Sequence, residues 1–327
     1  MPKRLAFTGS RQVELHNDEL PKPGKGEVLA RSLVTVMSTG TENIVFNHDF
    51  EEDTGWSRWV KYPFYPGYSN CGVIEELGEE VEGFKVGDRI ATRHGHRSHF
   101  ICKPLPGQKV PDGVADEAAA WIGPVKICAM GVRAAKPHIG GGLVIVGAGP
   151  IGQMEIRWLA AAGAFPLVVV EPSQMRIDLA LRGGASHGIA KPLDQAADDI
   201  KAIFNGEMPE LINDSTGNWR IFTEMQRISR KFGRILLLGD TGTPSMQHLT
   251  HDLIGKGLQV SGAHDGHETP EWNINTVGRL FFHLLQRGRF PMDGLTTHTF
   301  KPEQCQEAYK TANERRSETM GIAFDWR

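Results

Sequence analysis

The chain has 327 residues, of which 40% are hydrophobic and 23% charged, and its formal net charge is −3. This length exceeds one ordinary hydrophobic core and predicts two domains. Without a basic surplus we expect no nucleic-acid partner. The four cysteines are scattered, which argues against a disulfide framework or a cysteine-rich zinc lobe. No apolar run reaches the roughly 18 residues of a membrane span and no signal sequence opens the chain, so we expect a cytoplasmic protein without a membrane partner.

The first third of the chain is predicted to form short strands. Apolar runs at 28–30, 33–36, 72–74 and 89–91 are separated by Gly and Pro. Closely spaced short strands are typical of a small, irregular β-barrel. A helix-like stretch begins near Asp116.

From Gly142 onward, apolar strands alternate with helices. Strands are predicted at 143–146, 167–170, 210–213, 234–238 and 258–261, and helices at 151–162 and 176–181. Continuous apolar strands separated by helices indicate a parallel sheet covered on both faces. A further helix is predicted at 272–287.

A glycine-rich turn, Gly147-Ala148-Gly149-Pro150-Ile151-Gly152, lies between the first of these strands and its helix. A G-x-G-x-x-G sequence alone is weak, but this context is the one that dinucleotide binding requires. Gly147 allows the tight turn, Gly149 the approach of a pyrophosphate, and Gly152 close helix–strand packing. Pro150 and Ile151 open the helix, whose N-terminus favours phosphate.

Glu171 follows the second strand of this sheet. A carboxylate there binds a ribose hydroxyl and repels a 2′-phosphate, which favours NAD over NADP. Arg176 is expected to face the adenine side or solvent. Ligands of such sheets bind at the carboxyl ends of strands. Further cofactor contacts are therefore predicted at Ser215, Thr216, Gly239, Asp240, Ala263 and His264, although simple turn chemistry explains these residues equally well.

The order of elements resembles the medium-chain dehydrogenase/reductase superfamily over nearly the whole chain. The resemblance is carried by Gly72-Val73-Ile74, Leu77-Gly78, Val81, Phe84 and Val86-Gly87-Asp88-Arg89-Ile90, and by Ala308-Tyr309 near the end. It implies an α/β fold with a Rossmann doubly wound parallel sheet and a GroES-like β-barrel catalytic domain. The implied domains are a GroES-like domain at 1–123, a Rossmann domain at 124–264 and a segment at 265–327 that completes the first domain. It also implies a homodimer formed by edge-to-edge pairing of Rossmann sheets.

The sequence departs from the zinc-dependent members at each ligand position. Their Cys-Gly-Thr-Asp segment resembles Thr39-Gly40-Thr41-Glu42, their Gly-His-Glu segment resembles Gly67-Tyr68-Ser69, and the third ligand falls near Gly123-Pro124. Because Thr, Tyr and Gly are poor zinc ligands, we expect no catalytic zinc. The segments 37–42 and 66–68 resemble a branch that includes bacteriochlorophyllide a dehydrogenase.

Without zinc, the protein must itself supply an acid or base. Thr41 occupies the position of the family's proton-relay hydroxyl, but it needs a partner with a useful pKa. Tyr68 replaces the zinc histidine and either donates a hydrogen bond to a carbonyl or fills the metal's space. Lys126 lies in an apolar helix and either acts as an acid, extends to solvent or pairs with a carboxylate.

The segment 94–99 contains three histidines. In strand geometry His94 and His96 would share a face, with His99 pointing away. The first two are candidates for substrate contact or acid–base chemistry, and the cluster for metal binding. His264 and His267 follow the last strand of the sheet, and they are candidates for contacts at the border of the nicotinamide. The aromatic residues Trp56, Trp59, Phe64 and Tyr65 either form a lid or pack a long loop.

The leading hypothesis is NAD-dependent, zinc-independent interconversion of a secondary alcohol and a ketone. The substrate would be a polyol, a sugar derivative or a ring-borne hydroxyethyl group. One alternative is reduction of an enone or quinone double bond with NAD(P)H, against which Glu171 counts. A second is a non-enzymatic dinucleotide-binding protein.

Overall fold

The computed structural model describes all residues, 1–327. Its strands are β1 (Lys3–Gly9), β2 (Gln12–Asn17), β3 (Val28–Met37), β4 (Asn70–Leu77), β5 (Arg89–Thr92), β6 (His99–Cys102), β7 (Leu143–Val146), β8 (Leu167–Val170), β9 (His187–Ile189), β10 (Leu211–Asp214), β11 (Arg234–Leu237), β12 (Gln259–Gly262), β13 (Thr296–Phe300) and β14 (Gly321–Asp325).

The α-helices are α1 (Thr39–Asn47), α2 (Gly55–Trp59), α3 (Asp116–Ala119), α4 (Ile122–Ala135), α5 (Pro150–Ala161), α6 (Gln174–Arg182), α7 (Ala197–Ile203), α8 (Trp219–Ile228), α9 (His251–Gly255), α10 (Ile274–Gln286) and α11 (Cys305–Glu314). None of them combines the length and the apolar composition that crossing a bilayer requires.

The chain folds into two compact units. The first consists of residues 1–126, 269–287 and 293–327, and the second of residues 127–268 and 288–292.

The first unit contains a sheet of order β13-β14-β3-β4-β5, with β6 paired to β3. The C-terminal strand β14 pairs antiparallel with β3, which places Ile322 opposite Met37. Both side chains belong to an apolar core that also includes Phe7, Phe46 and Tyr309. Residues from the two ends of the chain therefore form one core.

The second unit contains a parallel sheet of order β12-β11-β10-β7-β8-β9. Its four middle strands are mostly apolar and buried, because separate cores pack against the two sides of the sheet. The polar exceptions are Arg234 at the start of β11 and the end of β10. From β7 the chain runs outward through β8 and β9, then returns to the other side of β7 to form β10. The predicted parallel sheet is confirmed, and its strand order reverses at β7, the place where such sheets bind ligands.

In the first unit, the predicted runs 28–30 and 33–36 form one strand, β3, and the run 72–74 lies inside the longer β4. The boundaries of the predicted helices and of the parallel strands differ by at most two residues. The predicted helix 272–287 is α10, which begins at Ile274 because the side chain of Asn273 accepts hydrogen bonds from Asn275 N and Thr276 N. The predicted strand 210–213 is β10, which starts one residue later and includes Asp214.

A short segment of the C-terminal region, residues 288–292, belongs to the second unit. Phe290 is fully buried and packs edge-on against Trp158 of α5, with ring centroids 5.0 Å apart. The neighbouring Arg157 is also buried, and its guanidinium donates to the carbonyls of Pro291, Gln153 and Leu179. These carbonyl bonds make the burial of a cation without a carboxylate tolerable.

Candidate functional site

The glycine turn after β7 is held by contacts that exclude side chains at two positions. Gly147 has a φ of +89°, and a Cβ there would lie 2.5 Å from Cγ2 of Thr216. A Cβ at Gly152 would lie 2.1 Å from the carbonyl oxygen of Gly147. The turn and the first turn of α5 are thus in direct backbone contact, as the predicted roles of these two glycines require.

Gly149 differs from the other two glycines, because a Cβ there would meet no atom within 4 Å. It is the N-cap residue of α5 and supplies no side-chain cap, while Pro150 occupies the first helical turn. The space around Gly149 is therefore open at the positive end of the helix dipole. This is the arrangement that binds phosphate.

A buried polar network supports the turn. Gln153 Nε2 donates to the carbonyl oxygens of Ala148 and Arg176, at 3.1 and 2.9 Å. Its Oε1 accepts from Arg157 Nη1 at 2.9 Å. Gln153 therefore ties the turn to α6 and to the buried arginine.

Glu171 lies directly after β8 and is buried. Its two carboxylate oxygens accept hydrogen bonds from Ala148 N at 2.9 Å and Ser173 N at 3.1 Å. Arg176 is close to this carboxylate, with Nη1 3.8 Å from Oε2, and only 21% of its side chain is exposed. Arg176 is therefore partly buried next to this carboxylate, and the carboxylate is fixed beside the turn.

Two further strand ends pack against the turn. Ser215 Oγ donates to the carbonyls of Val146 and Gly147, both at 3.0 Å. A Cβ at Gly239 would lie 2.3 Å from Gly217 N, so the segment containing Gly239 and Asp240 lies against residues 215–217. The structure thus brings together the predicted residues Gly147, Gly152, Glu171, Ser215, Thr216, Gly239 and Asp240.

Ala263 and His264 follow β12 at the edge of the sheet. Ala263 N donates to Leu237 O, which continues the parallel pairing by one residue. His264 is exposed, and its ring lies 5.9 Å from that of His267. Ala263 packs against the apolar cluster that includes Ala148 of the glycine turn, and the role of both residues in cofactor binding stays a prediction.

A cluster of buried acids lies next to the turn. Asn213 Nδ2 donates to Glu155 Oε1 at 2.7 Å, while Asp214 Oδ1 accepts from Thr216 N and Oγ1. Burial raises the pKa of Glu155 to about 7, and its proximity to Asp214 adds to this. Burial likewise raises the pKa of Asp214 to about 6. The oxygens Glu155 Oε2 and Asp214 Oδ2 accept no hydrogen bond, which accords with a protonated carboxyl in this cluster.

In the first unit, three hydroxyl groups meet around Tyr68. The phenol of Tyr68 donates to Ser38 Oγ, and Thr41 Oγ1 lies 3.3 Å from the phenol oxygen. Because a phenol carries one proton, Thr41 can donate to the phenol while the phenol donates to Ser38. Thr41 is thus within hydrogen-bonding distance of the titratable phenol of Tyr68, and its role as a proton relay stays a prediction.

Burial raises the pKa of Tyr68, and this outweighs the lowering by its hydroxyl partners and by Arg93. The guanidinium of Arg93 lies over the ring, 4.8 Å from its centroid. Tyr68 is therefore a neutral phenol, a proton donor, at physiological pH.

His96 is fully buried and lies in a loop, so the predicted strand geometry for His94 and His96 is wrong. The loop connects β5 to β6 and is fixed by hydrogen bonds such as His96 N to Pro66 O. His96 Nε2 lies 3.0 Å from Glu42 Oε2, and Nδ1 lies 2.7 Å from Thr35 Oγ1. Both nitrogens are occupied, so His96 has no atom left for a substrate.

His94 and His99 have separate environments. His94 stacks on Phe100 with centroids 4.4 Å apart, and burial lowers its pKa to about 4. His99 lies in β6, with Nε2 3.5 Å from Glu75 Oε2. No group of three His, Cys, Asp or Glu side chains in the structure is arranged to hold a metal ion.

Lys126 and the aromatic residues are packed in the protein. Lys126 is 5% exposed within α4, so the alternative of extension to solvent is wrong. Trp56 is buried and lies near Phe50 and Trp59, while Phe64 stacks on Phe7. These contacts favour loop packing for Trp56 and Phe64, whereas Trp59 and Tyr65 are exposed.

Sequence reasoning missed four residues around Tyr68: Ser38, Glu42, Arg93 and Tyr309. Glu42 is almost completely buried and accepts hydrogen bonds from Ser38 N and the phenol of Tyr309. Glu42 could have been found from the sequence, because it is an isolated carboxylate just before the apolar run Ile44-Val45-Phe46. Such a position in an amphipathic helix indicates a buried charge that needs partners.

Comparison with known proteins identifies the family. Residues 26–123 match the family model of the alcohol dehydrogenase GroES-like domain, and residues 150–277 that of the zinc-binding dehydrogenases. The L-threonine 3-dehydrogenase of Pyrococcus horikoshii is 28% identical over 91% of both chains.

Two solved structures share the fold. A short chain alcohol dehydrogenase from Escherichia coli, complexed with NADH, has a TM-score of 0.79 at 21% identity and covers 99% of both chains. A quinone oxidoreductase from Pseudomonas syringae has a TM-score of 0.80 at 19% identity, over 99% of this chain and all of the other.

The chain belongs to the medium-chain dehydrogenase/reductase superfamily. This membership confirms the predicted fold class, the predicted class of NAD(P)-dependent oxidoreductase acting on CH–OH groups, and the nicotinamide dinucleotide cofactor. The resemblance to the bacteriochlorophyllide dehydrogenase branch stays a prediction.

Proposed function

We propose that this protein interconverts a secondary alcohol and a ketone with NAD(H), without zinc, and that Tyr68 exchanges the proton with the substrate oxygen. The observation that carries the proposal is the hydroxyl group of Tyr68, which replaces a metal ligand and is hydrogen-bonded to Ser38 and Thr41.

The protonation state of Tyr68 fits ketone reduction directly. When bound, the dinucleotide supplies the hydride to the carbonyl carbon. On ketone binding the phenol proton of Tyr68 turns from Ser38 Oγ to the carbonyl oxygen and is donated as negative charge develops there, while Thr41 stabilises the phenolate by donating to it. In alcohol oxidation the same groups act in reverse, and the phenolate takes the hydroxyl proton. The raised pKa of Tyr68 makes its acid form the resting state.

The residues at the three zinc-ligand positions do not fit a zinc ion. Thr39 starts α1 and Tyr68 is engaged by two hydroxyls. A Cβ at Gly123 would lie 2.6 Å from the carbonyl oxygen of Tyr68, so no ligating side chain can occupy that position without moving the backbone. Catalytic zinc requires three strong protein donors, and these positions provide none.

The surroundings of Glu171 support NAD as the dinucleotide. Its carboxylate is fixed by Ala148 N and Ser173 N, so it cannot swing away from a neighbouring ribose. Each carboxylate oxygen has a second lone pair, which can accept a hydrogen bond from a ribose hydroxyl. A 2′-phosphate at the same place would meet a fixed like charge.

A turnover screen with purified protein tests the proposal. The panel contains L-threonine, butane-2,3-diol and galactitol in the oxidative direction, with acetoin, cyclohex-2-enone and 1,4-benzoquinone in the reductive direction. Absorbance of NADH is followed, after metal analysis and with chelator present. We expect turnover of a CH–OH substrate or its ketone that the chelator does not change.

Two results would contradict the proposal. Activity confined to cyclohex-2-enone and the quinone would establish the alternative double-bond reductase. Stoichiometric zinc whose removal abolishes turnover would refute zinc independence.

The cytoplasmic location predicted from the sequence stays a prediction.

We also propose that the protein is a homodimer. Strand β12 forms one edge of the parallel sheet and is exposed along its whole length. Val260 in this strand is exposed, as are Leu249 and Ile254 in the chain segment that precedes it. An open, partly apolar strand edge is a surface for pairing with a second sheet. Light scattering coupled to size exclusion measures the mass, and a monomer at micromolar concentration would refute the proposal.

A further inference from the structure

Glu42 is a carboxylate that three separate parts of the chain bind. Ser38 N donates to Oε1 at 2.7 Å, His96 Nε2 lies 3.0 Å from Oε2, and the phenol of Tyr309 donates to Oε2. Glu42, His96 and Tyr309 are each at most 2% exposed. Burying a carboxylate is costly unless its oxygens are hydrogen-bonded, and here three donors meet that requirement.

The direction of the hydrogen bond between His96 and Glu42 follows from the neighbouring groups. Trp326 Nε1 donates to Thr35 Oγ1 at 3.0 Å, so the Thr35 hydroxyl proton is available for His96 Nδ1. A neutral His96 then carries its proton on Nε2 and donates it to Glu42. A protonated imidazole would donate at Nε2 as well, so this bond has the same direction in both states.

His96 also contacts the segment that leads to Tyr68. His96 N donates to Pro66 O at 3.0 Å. Gly67 has a φ of +90°, and a Cβ there would lie 2.8 Å from both His96 Cδ2 and His96 N. The same histidine therefore packs against the residue before Tyr68 and holds the carboxylate of α1.

Ser38 is the N-cap residue of α1, yet its side chain accepts no hydrogen bond from the helix. A serine at this position ordinarily caps the helix, which stabilises it by about 1 kcal/mol. Here the hydroxyl accepts from Tyr68, while Glu42 binds the backbone N–H of Ser38. The Ser38 hydroxyl therefore does not stabilise the start of α1, and it binds the phenol of Tyr68 instead.

We propose that Glu42 and His96 are positioning residues for Tyr68 and do not touch the substrate. Through the Ser38 backbone and the Gly67 contact, they keep the hydroxyls of Ser38, Thr41 and Tyr68 within hydrogen-bonding distance of one another. This inference rests on the proposed function, because it assigns the support of the same proton donor. Small displacements of a catalytic group reduce rates by up to about 10²-fold.

Paired substitutions at His96 test the hydrogen bond itself. In His96→Gln the side-chain amide can still donate to Glu42, whereas in His96→Asn it is too short. We expect His96→Asn and Glu42→Gln to lower kcat by roughly 10- to 100-fold with KM changed little. His96→Gln should keep most of the activity. Assays use NADH with acetoin or with the ketone of the panel that turns over fastest, or NAD⁺ with the fastest alcohol.

A second readout separates positioning from general stability. The charge of Glu42 contributes to the raised pKa of Tyr68, so Glu42→Gln should move the alkaline limb of the reductive pH profile to lower pH. A matched control exists on the surface of the same unit, where His16 Nε2 lies 2.9 Å from Glu14 Oε2. Glu14→Gln and His16→Asn should leave kcat and the pH profile unchanged.

Each outcome decides the inference. Full kcat and an unshifted pH profile in Glu42→Gln and His96→Asn would overturn it, and so would equal losses in His96→Gln and His96→Asn. If Glu42→Gln does not fold, Tyr309→Phe removes a single donor, and an unchanged kcat there would count against the inference. If Tyr68→Phe keeps full activity, the proposed function fails instead. NADH affinity, measured by fluorescence, should stay the same in all folded variants.

Discussion

Glu171 accepts a hydrogen bond from Ala148 N at 2.9 Å, so the acidic residue after β8 is bonded to the glycine turn after β7. Two elements that sequence reasoning treats as separate contacts with the dinucleotide are therefore one unit. A change at either position alters the other, and predictions for the cofactor site must account for this coupling.

Gly149→Ala should weaken dinucleotide binding without unfolding the protein. The new methyl group meets no protein atom within 4 Å, and the φ of −69° suits alanine. It would occupy the space that the pyrophosphate needs, so we expect the Kd for NADH to rise at least about tenfold, roughly 1.4 kcal/mol. Fluorescence titration and thermal unfolding measure the two effects. Unchanged affinity would show that the pyrophosphate lies elsewhere.

Gly152→Ala is expected to behave differently, because its Cβ would lie 2.1 Å from the Gly147 carbonyl oxygen. The turn must then move away from α5, which should lower the melting temperature as well as the affinity for NADH. Overpacking of this kind costs about 1–3 kcal/mol. Melting by circular dichroism, with Gly149→Ala as the matched variant, measures the difference. A melting temperature equal to that of the parent protein would contradict the close contact.

Glu171→Gln should reduce discrimination against NADPH. The amide oxygen can still accept from Ala148 N, while the charge that repels a 2′-phosphate is removed. We expect the ratio of the Kd for NADPH to that for NADH to fall by about tenfold, with Arg176 available to the phosphate. Glu14→Gln, a surface carboxylate, serves as control. A parent protein that already prefers NADPH would refute the assignment of Glu171.

Tyr68→Phe should abolish most turnover while leaving the cofactor site intact. Loss of a general acid lowers rates by about 10²- to 10⁴-fold. The phenyl ring keeps the contact with the Arg93 guanidinium, so the fold should be retained. Stopped-flow or steady-state assays with NADH give kcat, and fluorescence gives NADH affinity. Thr41→Val is the companion variant, with a smaller expected loss because the phenol remains.

Glu155→Gln should stabilise the protein at alkaline pH. The pKa of Glu155 is raised from 4.5 to about 7 in the folded state, so the folded protein holds a proton that the unfolded chain releases. This contribution is complete below pH 4.5 and is lost as the pH rises to about 7, on the order of 3 kcal/mol. Glutamine imitates the protonated form and lacks this loss.

The measurement for Glu155 is urea unfolding at pH 5 and pH 8. The stability difference between Glu155→Gln and the parent protein should be larger at pH 8. A difference independent of pH would mean that Glu155 titrates normally in the folded protein.

The sequence predicts well those residues whose backbone conformation and close contacts are set by neighbours a few positions away in the chain. Gly147 and Gly152 are recognisable because a positive φ and a close backbone contact both require glycine within one turn of chain. The partners of Glu42 were not predictable, since Tyr309 lies 267 residues away and meets it only where α11 packs against α1. His96 was predicted as a substrate contact because an imidazole in sequence does not reveal whether both nitrogens are already bonded.

The segment 288–292 has a consequence for the order in which the protein is synthesised. The last strand of the parallel sheet, β12, ends at Gly262, but Phe290 and Pro291 complete the packing around Trp158 and Arg157. While the ribosome is still translating the residues between them, the nascent dinucleotide-binding unit has an uncovered tryptophan and a guanidinium that lacks one of its carbonyl partners. Its folding is therefore coupled to synthesis of the C-terminal region, and a gene truncated after residue 268 would encode an incomplete unit.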